Sequence, residues 1–180
     1  MRITVSGLPG SGTTSLSRYL ADQHGFTMIS AGEVFRQLAK EHNMEIAEFG
    51  RLAESDPAFD KMIDTRQKEI AAERDNIIVE GRLSGWMVEN ADLKIWLYAP
   101  IGCRIKRIAF RDQVTDEKTA ERITLEREHC EAGRYQSYYS IDIGDLSIYH
   151  LIINSEHWGV EGLGAIVDTA IAQRCRAKIP

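Results

Sequence analysis

Short apolar runs alternate along this chain with longer segments whose apolar residues recur at helical spacing. Ile3 to Ser6 has the character of a short strand, and Thr13 to Gln23 sets Leu16 and Leu20 on one helical face before Gly25 ends it. Phe26 to Ser30 resumes an extended run. From Ala31 to Asp75 helical spacing recurs in several pieces with no convincing strand, and Pro57 marks a helix start because its fixed φ suits the first helical position. NIIVEG, closed by Gly81, and LKIWLYAP, closed by Pro100, are short apolar runs of the kind that form central parallel strands covered on both faces. A charged helical stretch fills Ile101 to Gly133, Tyr149 to Ser155 is another strand, and Val160 to Ala172 closes as a helix.

This order predicts an α/β domain with a parallel sheet and two helical insertions that can enclose a substrate. At 180 residues with 43% hydrophobic positions, one compact domain accounts for the whole chain, and no internal repeat is visible. The formal charge of -5 argues against a general affinity for nucleic acid or acidic membranes, so any anion site must concentrate its positive charge locally. The N-terminal apolar run is too short for a signal-peptide core or a membrane span, and a cytoplasmic protein is expected. Cys103, Cys130 and Cys175 are odd in number and lack C-x-x-C spacing, so they read as small, partly buried residues rather than a disulfide framework or zinc site.

The chemistry concentrates first in GLPGSGTTS, Gly7 to Ser15. Gly7, Gly12 and Thr14 fit the phosphate-loop pattern G-x-x-x-x-G-K-[ST], and the loop sits between a strand and a helix as that motif requires. Glycines at 7, 10 and 12 let the backbone wind around an anion so that its N–H groups, with those of Leu8, Pro9's neighbours and Ser11, face phosphate oxygens at the helix N-terminus. Thr14 offers its hydroxyl to Mg²⁺. The lysine position, however, holds Thr13.

A neutral residue there fits a degenerate loop, a loop that holds phosphate by amides alone, or an enzyme whose missing charge arrives from elsewhere in the chain. Only the last requires arginines able to reach the site. Arg104, Arg107 and Arg111 fall at helically related positions, and Arg127 and Arg134 follow. The interleaved acids Asp112, Glu126, Glu128 and Glu131 would equally suit a solvated face. Together with a phosphate loop, a basic lid is the better account, because phosphoryl transfer needs both charge stabilisation and exclusion of water.

The motifs GLPGSGTT, ISAGEVFRQLAKE, AESDPAFDKMIDTRQKEIA, IIVEGRLSGWM, IWLYAP and RYQSYYSIDIGDLSIYHLIINS, in this order, resemble the short archaeal type of cytidylate kinase. The resemblance runs from residue 1 to about residue 155; only the last helix is generic. It implies a three-layer P-loop NTPase fold with a central parallel sheet of about five strands. It also implies a helical monophosphate-binding region near residues 30–75 and a lid near 101–134. The implied reaction moves the γ-phosphoryl group of ATP to CMP or dCMP with Mg²⁺. A monomer with no nucleic-acid or membrane partner is the expectation for the chain. Members of this branch resemble the present chain in carrying threonine at the loop-lysine position.

The resemblance places Ser30 and Arg36 near the monophosphate, while Ser30 also reads as a helix N-cap. Glu80 and Arg82 end an apolar strand, where α/β sheets place ligands; Glu80 suits a Mg²⁺-bound water, and Arg82 resembles the residue that contacts CMP. Asp64 and Arg66 are candidates for the base or monophosphate, although an i, i+2 pair does not share one helix face. Asp142 and Asp145 are either turn-formers around Gly144 or substrate-side residues that orient a lid arginine on closure.

Trp86, Trp96 and Trp158 read as core or rim aromatics, and the five histidines show no ligand spacing. A GTP switch would show N-K-x-D, which is absent, and its only D-x-x-G near the start, at Asp22, lies on a helix end. Another acceptor such as AMP or UMP remains open, because base choice rests on a few hydrogen bonds that spacing does not display.

Overall fold

The structure, a computed structural model, describes residues 1–44, 48–49, 58–113 and 115–177. Its sheet is parallel throughout. The strands are β1 (Arg2–Gly7), β2 (Thr27–Ser30), β3 (Ile77–Glu80), β4 (Leu93–Tyr98) and β5 (Leu151–Asn154), in the order β2-β3-β1-β4-β5. The first strand is therefore the central one, with β3 and β4 as its neighbours. Register sets Val5 beside Glu80 and Glu80 beside Ser30, which brings three strand ends together at one edge of the sheet.

Side-chain alternation assigns the two faces. Ile3 and Val5 of β1 and Ile78 of β3 pack with Leu16 and Leu20 of α1 (Thr13–His24) and with Leu163, Val167 and Ile171 of α7 (Val160–Ala177). Ile77 and Val79 point the other way, toward Val34 and Leu38 of α2 (Ala31–Glu41) and Phe59 and Ala71 of α3 (Ala58–Glu73). Each fully buried leucine or isoleucine contributes about 1.5–3 kcal/mol, so both helical layers are held by burial rather than by polar contacts. The result is the expected three-layer α/β fold.

Pro57 lies outside the described residues, and α3 is described from Ala58. A short helix, α4 (Ser84–Met87), follows β3, and the charged stretch divides into α5 (Ile101–Asp112) and α6 (Glu117–Tyr139). These two pack through Ile105, Ala109 and Ala120, and Asp116 caps α6 by accepting from the Lys118 and Thr119 amides. Gly133 was expected to end this stretch, yet it lies inside α6; the helix stops instead at Ser140, which adopts a left-handed φ of 55°. A glycine lowers helix propensity without terminating a helix unless the next turn also breaks.

Candidate active site

The segment from Leu8 to Gly12 joins β1 to α1 at the carboxyl end of the central strand. Gly10 and Gly12 take φ values of 82° and 93°, which side chains rarely tolerate. A Cβ on Gly10 would also lie 2.7 Å from the Arg104 carbonyl oxygen, so the loop rests directly on α5. Its carbonyls are each claimed. Leu8 O accepts from the Ser11 amide and hydroxyl, Pro9 O from Arg104 Nη1 (3.1 Å), and Gly10 O from Arg107 Nη1 (3.2 Å). Ser11 O accepts from Ser155 Oγ (2.7 Å), and Gly12 O from the Leu16 amide (3.0 Å). A trans peptide sets N–H opposite C=O, so these bonds turn the amides of Gly10, Gly12 and Thr13 the other way, as an anion cradle requires.

Thr13 does not extend toward that cradle. Its Oγ1 donates to Glu80 Oε1 at 2.7 Å. Burial pushes the Glu80 carboxyl above its ordinary range, against the opposing pull of the Thr13 hydrogen bond, the Arg82 charge and a hydrogen bond from Thr14, while nearby Glu33 adds to the rise. The Glu80 carbonyl accepts from Gln67 Nε2 at 3.1 Å, which ties α3 to the end of β3. Ser30 forms a full capping box with Glu33: its hydroxyl accepts from the Glu33 amide, and the Glu33 carboxylate accepts from the Ser30 amide.

A cleft of about 1490 Å³ opens over this edge, larger than the usual pocket for one small ligand. The loop from Leu8 through Ser15 lines it, with Ser30, Arg36, Asp64, Glu80, Arg82, Arg107, Arg111, Arg127 and Arg134. Asp64 accepts from the Tyr139 hydroxyl at 2.7 Å. Gly7 lies beneath the loop, 2.5 Å from Leu97 O if it carried a Cβ.

Four expected residues stand elsewhere. Arg104 is buried behind the loop, donating to Ala99 O and Pro9 O and pairing with Glu128, so it braces the loop and does not reach the cleft. Arg66 pairs with Glu41 and Glu69 beside a shallow groove of about 360 Å³ between α2 and α3, because the i, i+2 offset from Asp64 turns it off the cleft face. Asp142 and Asp145 close local turns, accepting from the Gly144 amide (2.8 Å) and the Ser147 amide (2.9 Å), and neither lines the cleft. Their turn-forming role therefore accounts for both.

The remaining arginines are partly committed. Arg107 donates to Ser155 Oγ (3.0 Å) and Ser155 O (2.8 Å) besides Gly10 O, whereas Arg111 is held by both oxygens of its neighbour Asp112. Ser155, Gln67, Glu131, Phe110 and Tyr135 also line the cleft and were not singled out by sequence. The position of Ser155 just past β5, at a strand's carboxyl end, was the available signal. Cys130, expected to be partly buried, is exposed in the cleft; Cys103 is half-buried, and the Cys175 side chain lies outside the described residues. Trp96 is buried against Tyr149, while half-exposed Trp158 stands on the cleft rim.

Among the described residues, no group of three or more His, Cys, Asp or Glu side chains is placed to share a metal ion. No helix among them is long and apolar enough to cross a membrane. The Thr14 hydroxyl and the Glu80 carboxylate both line the cleft at the loop, whereas the Ser11 and Thr13 hydroxyls are spent on Leu8 O and Glu80. Such a sparse, hard set suits Mg²⁺, which binds through one or two protein oxygens with phosphates and water completing its shell.

A family model described as the cytidylate kinase-like family matches residues 2–157. A cytidylate kinase of Methanoregula boonei is 80% identical over 173 residues, 96% of this chain and 95% of its own length. One of Methanosphaerula palustris is 65% identical over 172 residues, covering 96% and 98%. Among solved structures, a shikimate kinase from Bacteroides thetaiotaomicron superposes with a TM-score of 0.68 at 13% identity, over 96% of this chain and 98% of that one, a likeness of fold.

Proposed function

The chain belongs to the cytidylate kinase-like family, and we propose that it transfers the γ-phosphoryl group of ATP to CMP or dCMP, giving ADP and the diphosphate. The observation that carries this reading is the loop whose carbonyls are all bonded by protein donors, leaving the Gly10, Gly12 and Thr13 amides for phosphate, at the floor of a cleft with arginines on its other walls.

In this reading the Gly10, Gly12 and Thr13 amides and the start of α1 hold the donor phosphates. Residues 30–75 bind the acceptor, with Arg36 and Arg82 on its phosphate and Ser30 and Asp64 beside it. Arginine suits this position because its planar fork meets two phosphate oxygens at once. The lid extends from 101 through Tyr139, where α6 ends, and Arg107, Arg111, Arg127 and Arg134 are its candidates for neutralising the transferring group. The mechanism is positional and electrostatic, with no covalent intermediate. Thr14 and, through water, Glu80 would hold Mg²⁺, which supplies charge neutralisation on the β- and γ-phosphoryl oxygens.

The test is ADP production from Mg·ATP with CMP, dCMP, UMP and AMP offered in turn and a control without acceptor. Turnover is expected with CMP or dCMP. ADP release without acceptor, or a preference for AMP or UMP, overturns the reading.

A further inference from the structure

Two ion pairs join α6 to neighbouring elements, one to α5 and one to the turn after β3, and they differ in where they lie. Glu128 meets Arg104, a buried residue behind the phosphate loop. Glu131, three residues on, faces the cleft, and its carboxylate is only 8% exposed. Its Oε1 accepts from Arg127 Nε at 2.8 Å, and its Oε2 accepts from Arg82 Nε. Arg127 belongs to the lid helix and Arg82 to the turn after β3, so a single carboxylate bridges the two walls. Both guanidinium groups line the cleft.

A guanidinium fork fits the paired oxygens of a carboxylate and of a phosphate in the same way. A pocket that spaces two guanidinium groups around one buried carboxylate therefore also spaces them for one phosphate group. It cannot hold both anions, because like charges at that distance repel strongly where water is scarce.

We propose that Glu131 is a stand-in for the acceptor's phosphate. In the empty protein its carboxylate keeps Arg82 and Arg127 together; an incoming nucleoside monophosphate takes those two arginines and displaces Glu131. The inference rests on the function proposed above, since it names the internal competitor of that substrate. Affinity for the acceptor then contains the cost of breaking the Glu131 contacts, and that cost falls only on ligands carrying a phosphate.

The experiment is titration calorimetry of CMP, cytidine and inorganic phosphate, without ATP, into the wild-type chain, Glu131→Gln and Glu128→Gln. Neutralising Glu131 weakens two charge-assisted hydrogen bonds, so CMP should bind about tenfold more tightly to Glu131→Gln. Cytidine should bind equally to both, and Glu128→Gln should leave CMP affinity at the wild-type value. Unchanged or weaker CMP binding by Glu131→Gln overturns the proposal, as does equal tightening in Glu128→Gln, which would mean that freeing the lid suffices. Thermal unfolding is followed in parallel. If Glu131→Gln does not fold, Glu131→Asp, which withdraws the carboxylate by one methylene, should still tighten CMP and not cytidine; no change overturns the proposal. A wild-type chain that binds no CMP removes the function instead, and Glu131 is then judged by whether its neutralisation tightens inorganic phosphate.

Discussion

Thr13→Lys restores the residue that the phosphate-loop pattern asks for, and the expected product is a poorer enzyme. Thr13 Oγ1 lies 2.7 Å from Glu80 Oε1, so an ammonium carried on the same Cβ has a half-buried carboxylate within reach. Opposite charges about 4 Å apart attract by about 4 kcal/mol at an effective dielectric of about 20, before any desolvation is counted. That attraction competes with the donor phosphates for the new charge and also cancels the Glu80 charge assigned above to a metal-bound water. Thr13→Val isolates the hydroxyl itself, since it keeps the shape and deletes the donor. A hydrogen bond to a charged group contributes about 1.5–3 kcal/mol, so kcat/KM for ATP should fall roughly 10- to 150-fold. Thr13→Ser retains the donor and should recover most of the loss. The assay is steady-state ADP formation at saturating CMP with Mg·ATP varied, with Tm measured for each variant to separate folding from chemistry. A Thr13→Val enzyme at the wild-type rate, or a Thr13→Lys enzyme faster than wild type, would refute Thr13 as the partner of Glu80.

Charge and burial set the outcome at three further positions. Burial raises the folded-state pKa of Glu80 above the ordinary 4.5, so the cost of its charge is absent below 4.5 and is incurred as pH rises through the folded value. Glu80→Gln should therefore have the higher Tm at pH 8, the gap closing toward pH 4.5, while turnover at pH 8 collapses; a constant gap across this range would exclude the ionised carboxylate as the cause. Arg104→Ala removes the donor to Glu128, to Pro9 O of the loop and to Ala99 O after β4, and should lower unfolding free energy in urea by about 3–5 kcal/mol, the usual loss for one half of a buried pair. Arg66→Ala removes only exposed pairs and should cost no more than about 1 kcal/mol, with CMP kinetics unchanged.

The contrast between Arg104 and Arg107 shows where sequence information stops. Helical spacing puts Arg104, Arg107 and Arg111 on related positions, and all three are indeed on α5. One helix face can nevertheless meet several environments along its length. At Arg104 that face meets the phosphate loop, the Ala99 carbonyl and Glu128 of α6; at Arg107 it meets Ser155 at the edge of the cleft; at Arg111 it reaches solvent and Asp112. Which of these a guanidinium finds depends on how α6 and β5 pack, and those contacts join residues 24 and 48 positions apart. By contrast, the strands, the loop and the start of α1 were readable, because each is set by neighbours within a few residues: apolar runs, glycines at left-handed positions, and a helix N-terminus.

The same distinction explains Glu131. In sequence it stands four residues after Arg127 and supports reading α6 as a charged, solvated face, since an i, i+4 pair is what such a face displays. That pair is present, but the second oxygen of the same carboxylate is taken by Arg82, 49 positions away on the other wall of the cleft. The long-range partner buries a residue that local pattern assigns to solvent. Thr13 repeats the lesson: its neutrality is visible in the motif, whereas its partner Glu80 lies 67 residues on, brought beside the loop only by the pairing of β1 with β3. A departure from a motif thus acquires chemical meaning from the sheet register. Here that register turns an apparent loss of charge at Thr13 into a hydrogen bond on the carboxylate nearest the loop.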